Sequence, residues 1–230
     1  MPESWMTALN AFFYRVDLST YERADDFEGF FEITVEGDRN STILFENRYQ
    51  ALAPATTAAF FEVVYWKLYS QGNVRDRSTS RIVDYVQERG IAPMQMWEAV
   101  QQFVADQTGE NLQTIRQLLG LATDVLAVPL TLTALASPET LPMVDRQVAR
   151  WVSCNHVQHS ANRIIALNPF IMNHNVLRQN DFPNYLNWVT WCREVAQVLM
   201  PLTKQEWRPR DVEMAVFTAQ RRGMALNVLP

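Results

Sequence analysis

An aspartate precedes a helical run in the second half of the chain. Asp145 is followed directly by RQVARW, residues 146–151, and an Asp in this place commonly accepts a hydrogen bond from a backbone N–H of the first helical turn. Those N–H groups and the helix dipole favour the ionised carboxylate. Asp145 is therefore either an ordinary helix cap or a charged group that can stabilise positive charge during a reaction, and the spacing leaves both alternatives open.

Arginines are the second group of candidates, because a guanidinium can neutralise a phosphate. Arg146 and Arg150 follow Asp145 one helical turn apart, and we expect them to be phosphate contacts. Charged runs of this kind also occur as plain solvated helix faces, which is the alternative. A second cluster near the end of the chain, with the same two interpretations, consists of Arg208, Arg210, Arg221 and Arg222.

A short loop separates two helical runs upstream of Asp145. Residues 119–125 stand between IRQLL and a strongly apolar run, which predicts a hairpin. Small residues in such a hairpin let backbone amides approach a phosphate. The residues of this hairpin include Gly120, Leu121, Ala122 and Thr123.

Residues 115–154 contain a helix, this hairpin, an apolar helix, the turn SPETLP, Asp145 and a further helix, in that order. The order resembles the helix-hairpin-helix superfamily of DNA base-excision glycosylases. The run LPMVDRQVAR, residues 141–150, is most similar to the archaeal 8-oxoguanine glycosylases and their uncharacterised relatives. The helix with the run VYWKLYSQ, residues 64–71, is similar to the helix that precedes the base-filling residue in the same superfamily, and residues 211–217 are similar to its closing helix.

The resemblance implies a function in base excision on duplex DNA. Asp145 would stabilise the positive charge that develops on the sugar of a flipped nucleotide while the N-glycosidic bond breaks. The loop 120–125 would clamp the DNA backbone, and Gln71 would fill the place that the base leaves. For Gln71 the alternative is an ordinary helix end before Gly72.

The chain departs from the superfamily in its lysines and in its hairpin. Its two lysines are Lys67 and Lys204, so no amine lies near the hairpin to form the Schiff base of a strand-cleaving glycosylase. We therefore expect a monofunctional enzyme that uses water as nucleophile and needs no cofactor. Asp124 and the lack of further glycines before Gly223 make the hairpin degenerate. Two alternatives follow: a non-catalytic member of the fold that binds DNA or a protein partner, and a helical scaffold without a nucleic-acid role.

Cysteines and histidines between 154 and 192 suggest a metal site at first sight. His156 and His159 are one turn apart, but Cys154 and His156 point in different directions on a helix. We therefore predict no metal site, and instead a buried cysteine and surface histidines. His174 and Cys192 complete the set.

Helical periodicity runs through nearly the whole chain and predicts an all-α fold of the two-lobed helix-hairpin-helix glycosylase type. We expect one domain over 1–230, with an acidic segment at 1–50, a helical lobe at 54–135 and C-terminal helices at 136–230 that complete the second lobe. Helices are predicted over 4–16, 55–71, 145–167 and 209–222, among others. The β-leaning runs are 27–35 and 42–46. Trp5, Leu9, Phe12, Phe13 and Val16 are predicted to share one buried face, and most tryptophans are expected in the core.

The charge of −5 is unevenly distributed. Residues 1–38 contain nine acidic residues against Arg15 and Arg23, whereas the chain from 110 onward has eleven basic against nine acidic residues. An acidic segment that improves solubility is thus attached to a body that is neutral to slightly basic. The 48% apolar content excludes disorder, and no apolar stretch predicts a membrane span. Two cysteines favour a reducing, cytoplasmic location.

Overall fold

The computed structural model describes residues 2–160, 164–172 and 177–229, and these ranges form an all-α fold, as predicted. A single small antiparallel sheet in this part of the chain pairs β1 (Val16–Asp17) with β2 (Thr34–Val35), with Val16 opposite Val35. The helices are α1 (Glu3–Asn10), α2 (Arg39–Leu52), α3 (Thr57–Leu68), α4 (Arg75–Glu88), α5 (Pro93–Ala105), α6 (Gly109–Leu118), α7 (Ala127–Ala136), α8 (Arg146–Asn155), α9 (Phe182–Thr203) and α10 (Pro209–Arg222).

The chain divides into two compact units. The first combines Met1–Phe13 with Ser137–Pro230, and the second is Tyr14–Ala136. The second unit is therefore inserted into the sequence of the first.

Helix α10 forms the centre of the first unit, where α1, α8 and α9 pack against it. Every residue from Pro209 to Ala219 is buried, so the helix is enclosed on all sides. The segment that follows α10 is bound to α1, because the indole Nε1 of Trp5 donates to the carbonyl of Asn227 at 2.9 Å. The Asn227 amide in turn donates to Ser4 Oγ at 2.9 Å.

Helix α3 forms the centre of the second unit. Its residues from Ala58 to Trp66 are all buried, and α2, α4 and α7 surround it. Helix α7 is equally apolar and is buried from Val128 to Leu135. This burial explains why both segments lack the polar face of a surface helix.

Several predicted boundaries are wrong. Residues 42–46 belong to α2, because Asp38 caps that helix through Ser41 N at 2.7 Å and the buried positions follow helical spacing. Helix α1 ends at Asn10, so the helical period does not reach Phe13, which is 55% exposed. The helix predicted over 145–167 ends at Asn155, and the one predicted to reach 71 ends at Leu68.

Among the described residues, no helix combines the length and the apolar character that crossing a bilayer requires.

Candidate functional site

Asp145 is the N-cap of α8. Its backbone is extended, and its Oδ1 accepts a hydrogen bond from the Val148 amide at 2.8 Å. In the part of the chain that the structure describes, no donor contacts the second oxygen, Oδ2. The side chain is partly buried. The predicted cap is therefore present, and it uses one of the two carboxylate oxygens.

The segment that leads to Asp145 is held by side chains of α9. Tyr185 Oη donates to the carbonyl of Pro142 at 3.2 Å, and Trp188 Nε1 donates to the carbonyl of Met143 at 3.0 Å. Arg193 Nε donates to the carbonyl of Thr140 at 2.9 Å. Tyr185 and Trp188 are fully buried. Three donors on one helix therefore fix the backbone just before the carboxylate.

The two arginines that follow Asp145 differ in exposure. Arg146 is exposed at the first position of α8, whereas Arg150, one turn later, is partly buried. The structure therefore brings Asp145, Arg146 and Arg150 together at the start of one helix in the first unit.

The predicted hairpin is the loop between α6 and α7, residues 119–126, in the second unit. Gly120 lies two residues after the end of α6 in the left-handed conformation, with φ of 63°. Its amide donates to the carbonyl of Gln117 at 3.2 Å. The Leu121 amide donates to the carbonyl of Arg116 at 2.9 Å. These two bonds form a Schellman motif, in which glycine is favoured. Ala122 and Thr123 are exposed.

Gly120 has a packing partner on the side where a Cβ atom would lie. A Cβ built there would come within 2.5 Å of Cγ of the Tyr85 ring, which belongs to α4. The missing side chain therefore makes room for Tyr85. This packing is a structural reason for the glycine that is independent of any phosphate.

A buried arginine lies beneath this loop. Arg116 is 1% exposed, and its Nε donates to the carbonyl of Val125 at 2.6 Å. Its Nη1 donates to the carbonyl of Thr123 at 2.7 Å. Burial lowers the pKa of this guanidinium, and the charge of Asp124 opposes that shift.

Gln71 lies in a 3-10 turn, Tyr69–Val74, between α3 and α4. Residues 70–74 are exposed, and Gly72 interrupts the helical backbone with φ of 58°. The turn is supported by Arg75, whose guanidinium lies 4.6 Å from the centre of the Tyr69 ring. Gln71 thus extends from a projecting turn of the second unit rather than from the end of α3.

The second arginine cluster is divided. Arg208 and Arg210 are buried, so the prediction that they contact phosphate is wrong. Arg208 Nη2 donates to Asp211 Oδ1 at 3.0 Å, and Arg210 forms an ion pair with Glu213. These guanidinium groups are therefore paired with the carboxylates of Asp211 and Glu213 on α10. Arg221 and Arg222 are exposed at the end of α10.

The described cysteines and histidines differ in exposure. Cys154 is exposed and Cys192 is buried, while His159 is buried rather than on the surface. Trp5, Trp151 and Trp191 surround the His159 ring, with centroids at 6.1, 4.9 and 6.4 Å. Among the described residues, no three metal-binding side chains stand close together. His174 lies outside those residues.

The lysines and the tryptophans differ in burial. Lys67 is partly buried on α3, and Lys204 is exposed just after α9. Most tryptophans are in the core, as predicted: Trp5, Trp66, Trp151, Trp188, Trp191 and Trp207 are at most 3% exposed.

Sequence reasoning missed two features of these sites. Arg116 falls on the same buried helix face as Leu112, Ile115 and Leu119, at three- and four-residue spacing. This spacing is the signal that could have revealed a buried charge. The donors of α9 carry no such signal, because Tyr185 and Trp188 occupy ordinary core positions.

Comparison with known proteins identified no relative: no family model matches this chain, and neither a curated protein nor a solved structure does. The candidate function therefore depends on the geometry of these residues and on the resemblance described above.

Proposed function

We propose that this chain is a DNA glycosylase-like protein, a monofunctional enzyme that removes a base from duplex DNA with Asp145 as its charged group. The observation that carries the proposal is the carboxylate of Asp145. One of its oxygens is fixed by the Val148 amide at 2.8 Å, and the side chain is only partly buried.

The chemistry needs a carboxylate that is positioned before the substrate arrives. As the bond between C1′ and the base nitrogen breaks, its electron pair leaves with the base and positive charge develops on the sugar. A preorganised negative charge stabilises this transition state. Water then adds to C1′ and loses a proton, and the departing base takes up a proton from solvent. The three donors of α9 support the proposal, since they hold the backbone on which the carboxylate stands.

DNA binding in this proposal depends on backbone amides and arginines. The loop 119–126 leads directly into α7, and amides at such a helix entrance attract a phosphate. Gln71, on an exposed turn, is the proposed filler of the vacated base position. Arg146 and Arg150 are the proposed phosphate contacts beside Asp145.

The test compares two helix-capping aspartates. Asp145→Asn should reduce base release from damaged duplexes at least about a hundredfold, because the charge is lost. Its thermal stability should hardly change, because Asn caps a helix about as well as Asp. Asp38→Asn is the matched control, since Asp38 caps α2 in the same way through Ser41 N at 2.7 Å. Full base release by Asp145→Asn would exclude the catalytic role.

A second measurement concerns strand cleavage. Borohydride should trap no covalent adduct with damaged or abasic DNA, even where the base is released, because a Schiff base needs a nearby amine. An adduct on Lys67 or Lys204 would show that the reaction takes place elsewhere.

The second candidate function is a non-catalytic module of the same fold that binds duplex DNA. The observation in its favour is that Asp145 already has a structural role as the cap of α8. Wild-type protein that binds duplexes in a salt-dependent way, yet releases no base from any damaged duplex, would favour this candidate.

A further inference from the structure

The guanidinium of Arg116 is the most deeply buried positive charge next to an exposed loop of the second unit. It contacts two loop carbonyls, those of Thr123 and Val125, at 2.7 and 2.6 Å. Its Nη1 also donates to Gln113 Oε1 at 3.2 Å. A charge removed from water is costly unless hydrogen bonds compensate it, and here most of the compensation comes from the loop.

These contacts determine which way the loop peptides face. In a trans peptide the C=O and the following N–H point in opposite directions. Because the carbonyls of Thr123 and Val125 point toward Arg116, the amides of Asp124 and Leu126 point away from it. The Val125 amide also donates to the carbonyl of Ala122 at 3.2 Å and closes a turn around the Thr123–Asp124 peptide, whereas the bonds from Gly120 and Leu121 close the end of α6.

We infer that Arg116 is a positioning residue of the DNA-binding loop. Its guanidinium holds two carbonyls inward. The amide of the partly exposed Asp124, which follows the first of them, is thereby presented to a backbone phosphate, whereas Leu126 is fully buried. This inference rests on the proposed function, since it names the group that orients the clamp of that function.

The positive charge of Arg116 also weakens the repulsion between Asp124 and a phosphate bound at this loop. An acidic residue repels a phosphate, but the attraction between Asp124 and Arg116 offsets its charge. Arg116 therefore orients the loop and also reduces the repulsion at its surface.

The experiment compares three variants in the full chain. Arg116→Met removes the guanidinium but keeps a long side chain, and Arg116→Lys keeps the charge without the planar fork that binds two carbonyls. Arg81→Met is the matched control, because Arg81 is an exposed arginine of α4 in the same unit. Two quantities are measured: hydrogen exchange of the amides of residues 121–126 without DNA, and affinity for a duplex over a salt series.

We expect Arg116→Met to raise amide exchange in 121–126 about tenfold or more and to weaken duplex binding by a similar factor. Arg116→Lys should lie between it and the wild type. If Arg116→Met does not fold, Arg116→Lys carries the test alone. Millimolar guanidinium chloride, but not sodium chloride at equal ionic strength, should partly restore duplex binding to Arg116→Met.

The outcomes separate two kinds of failure. Unchanged amide exchange in both Arg116 variants would overturn the orienting role, and so would a loss of affinity equal to that of Arg81→Met. Wild-type protein that binds no duplex would instead overturn the proposed function, while the exchange measurement would still report on the loop.

Discussion

The entrances to α7 and α8 are both irregular segments that side chains hold in place, but they differ in how many side chains do so. Before α8, Tyr185, Trp188 and Arg193 each fix a different carbonyl, and Asp145 adds its own cap. Before α7, Arg116 alone fixes two carbonyls. The segment before α8 is therefore held by several independent hydrogen bonds, whereas the segment before α7 depends on the guanidinium of one residue.

The difference has a thermodynamic consequence. A neutral donor that is lost removes its hydrogen bond to one carbonyl, which costs about 0.5–1.5 kcal/mol. Arg116 holds both carbonyls at once, so its loss affects two peptides together. We therefore expect the loop 119–126 to respond to single changes more strongly than the segment 140–145.

The largest effect is expected for Gly120→Ala. The new Cβ would lie 2.5 Å from the Tyr85 ring, and alanine is strained at φ of 63°. Together these should lower the free energy of unfolding by about 2–4 kcal/mol, as measured by urea denaturation.

A control variant sharpens the Gly120→Ala result. In a Tyr85→Ala background the overlap disappears and only the backbone strain remains, so Gly120→Ala should then cost about 1 kcal/mol. An equal cost in both backgrounds would mean that Tyr85 does not fill the space beside Gly120.

Asp145→Ala should have the next largest effect. Loss of the cap should lower the free energy of unfolding by about 1 kcal/mol, whereas Asp145→Asn should change it by less than about 0.5 kcal/mol. Thermal unfolding of the two variants measures the difference. Equal destabilisation by both would show that the charge itself, rather than the hydrogen bond to Val148, stabilises α8.

Tyr185→Phe tests whether the α8 entrance depends on several donors. The variant loses only the bond to the Pro142 carbonyl and should cost about 0.5–1.5 kcal/mol. Amide exchange at Val148 should stay unchanged, because Trp188 and Arg193 still hold the segment. Increased exchange at Val148 would contradict the comparison between the two entrances.

A change of pH should have the smallest effect on the free energy of unfolding. Burial lowers the pKa of His159 below its ordinary value of 6.5, so the folded first unit prefers the neutral ring. Its contribution to stability is complete above that value and declines as the pH falls toward the folded pKa. His159→Gln should remove the dependence, and a slope that survives in this variant would assign it to another group.

Much of the helical fold could be predicted from local signals. Helix α10 begins at Pro209 and ends at Arg222 as predicted, because proline is favoured in the first turn and Gly223 takes the left-handed conformation after the last turn. Pro93 likewise begins α5. The prediction was wrong where such end signals were misjudged. The β-branched residues at 42–43 favour a strand, so α2 was not predicted, although Asp38 stands in a capping position.

The candidate site was predictable only in part. The cap by Asp145 was foreseen, because it depends on residues that are neighbours in the sequence. The donors that hold its segment lie 43 to 53 positions away on α9, and no local pattern couples them to it. Arg208 and Arg210 were misjudged for a related reason, since their charges are matched by carboxylates within the same buried helix.

The bond between Trp5 and Asn227 spans 222 positions of the chain, and this separation has a consequence for synthesis on the ribosome. The first unit needs α1 and α10 together, so it cannot be completed until α10 and Asn227 have left the exit tunnel. The second unit is continuous in sequence and can fold while the rest is still being translated. The nascent protein should thus expose the apolar face of α1 until α10 has been made, and it is this helix that a chaperone would have to protect.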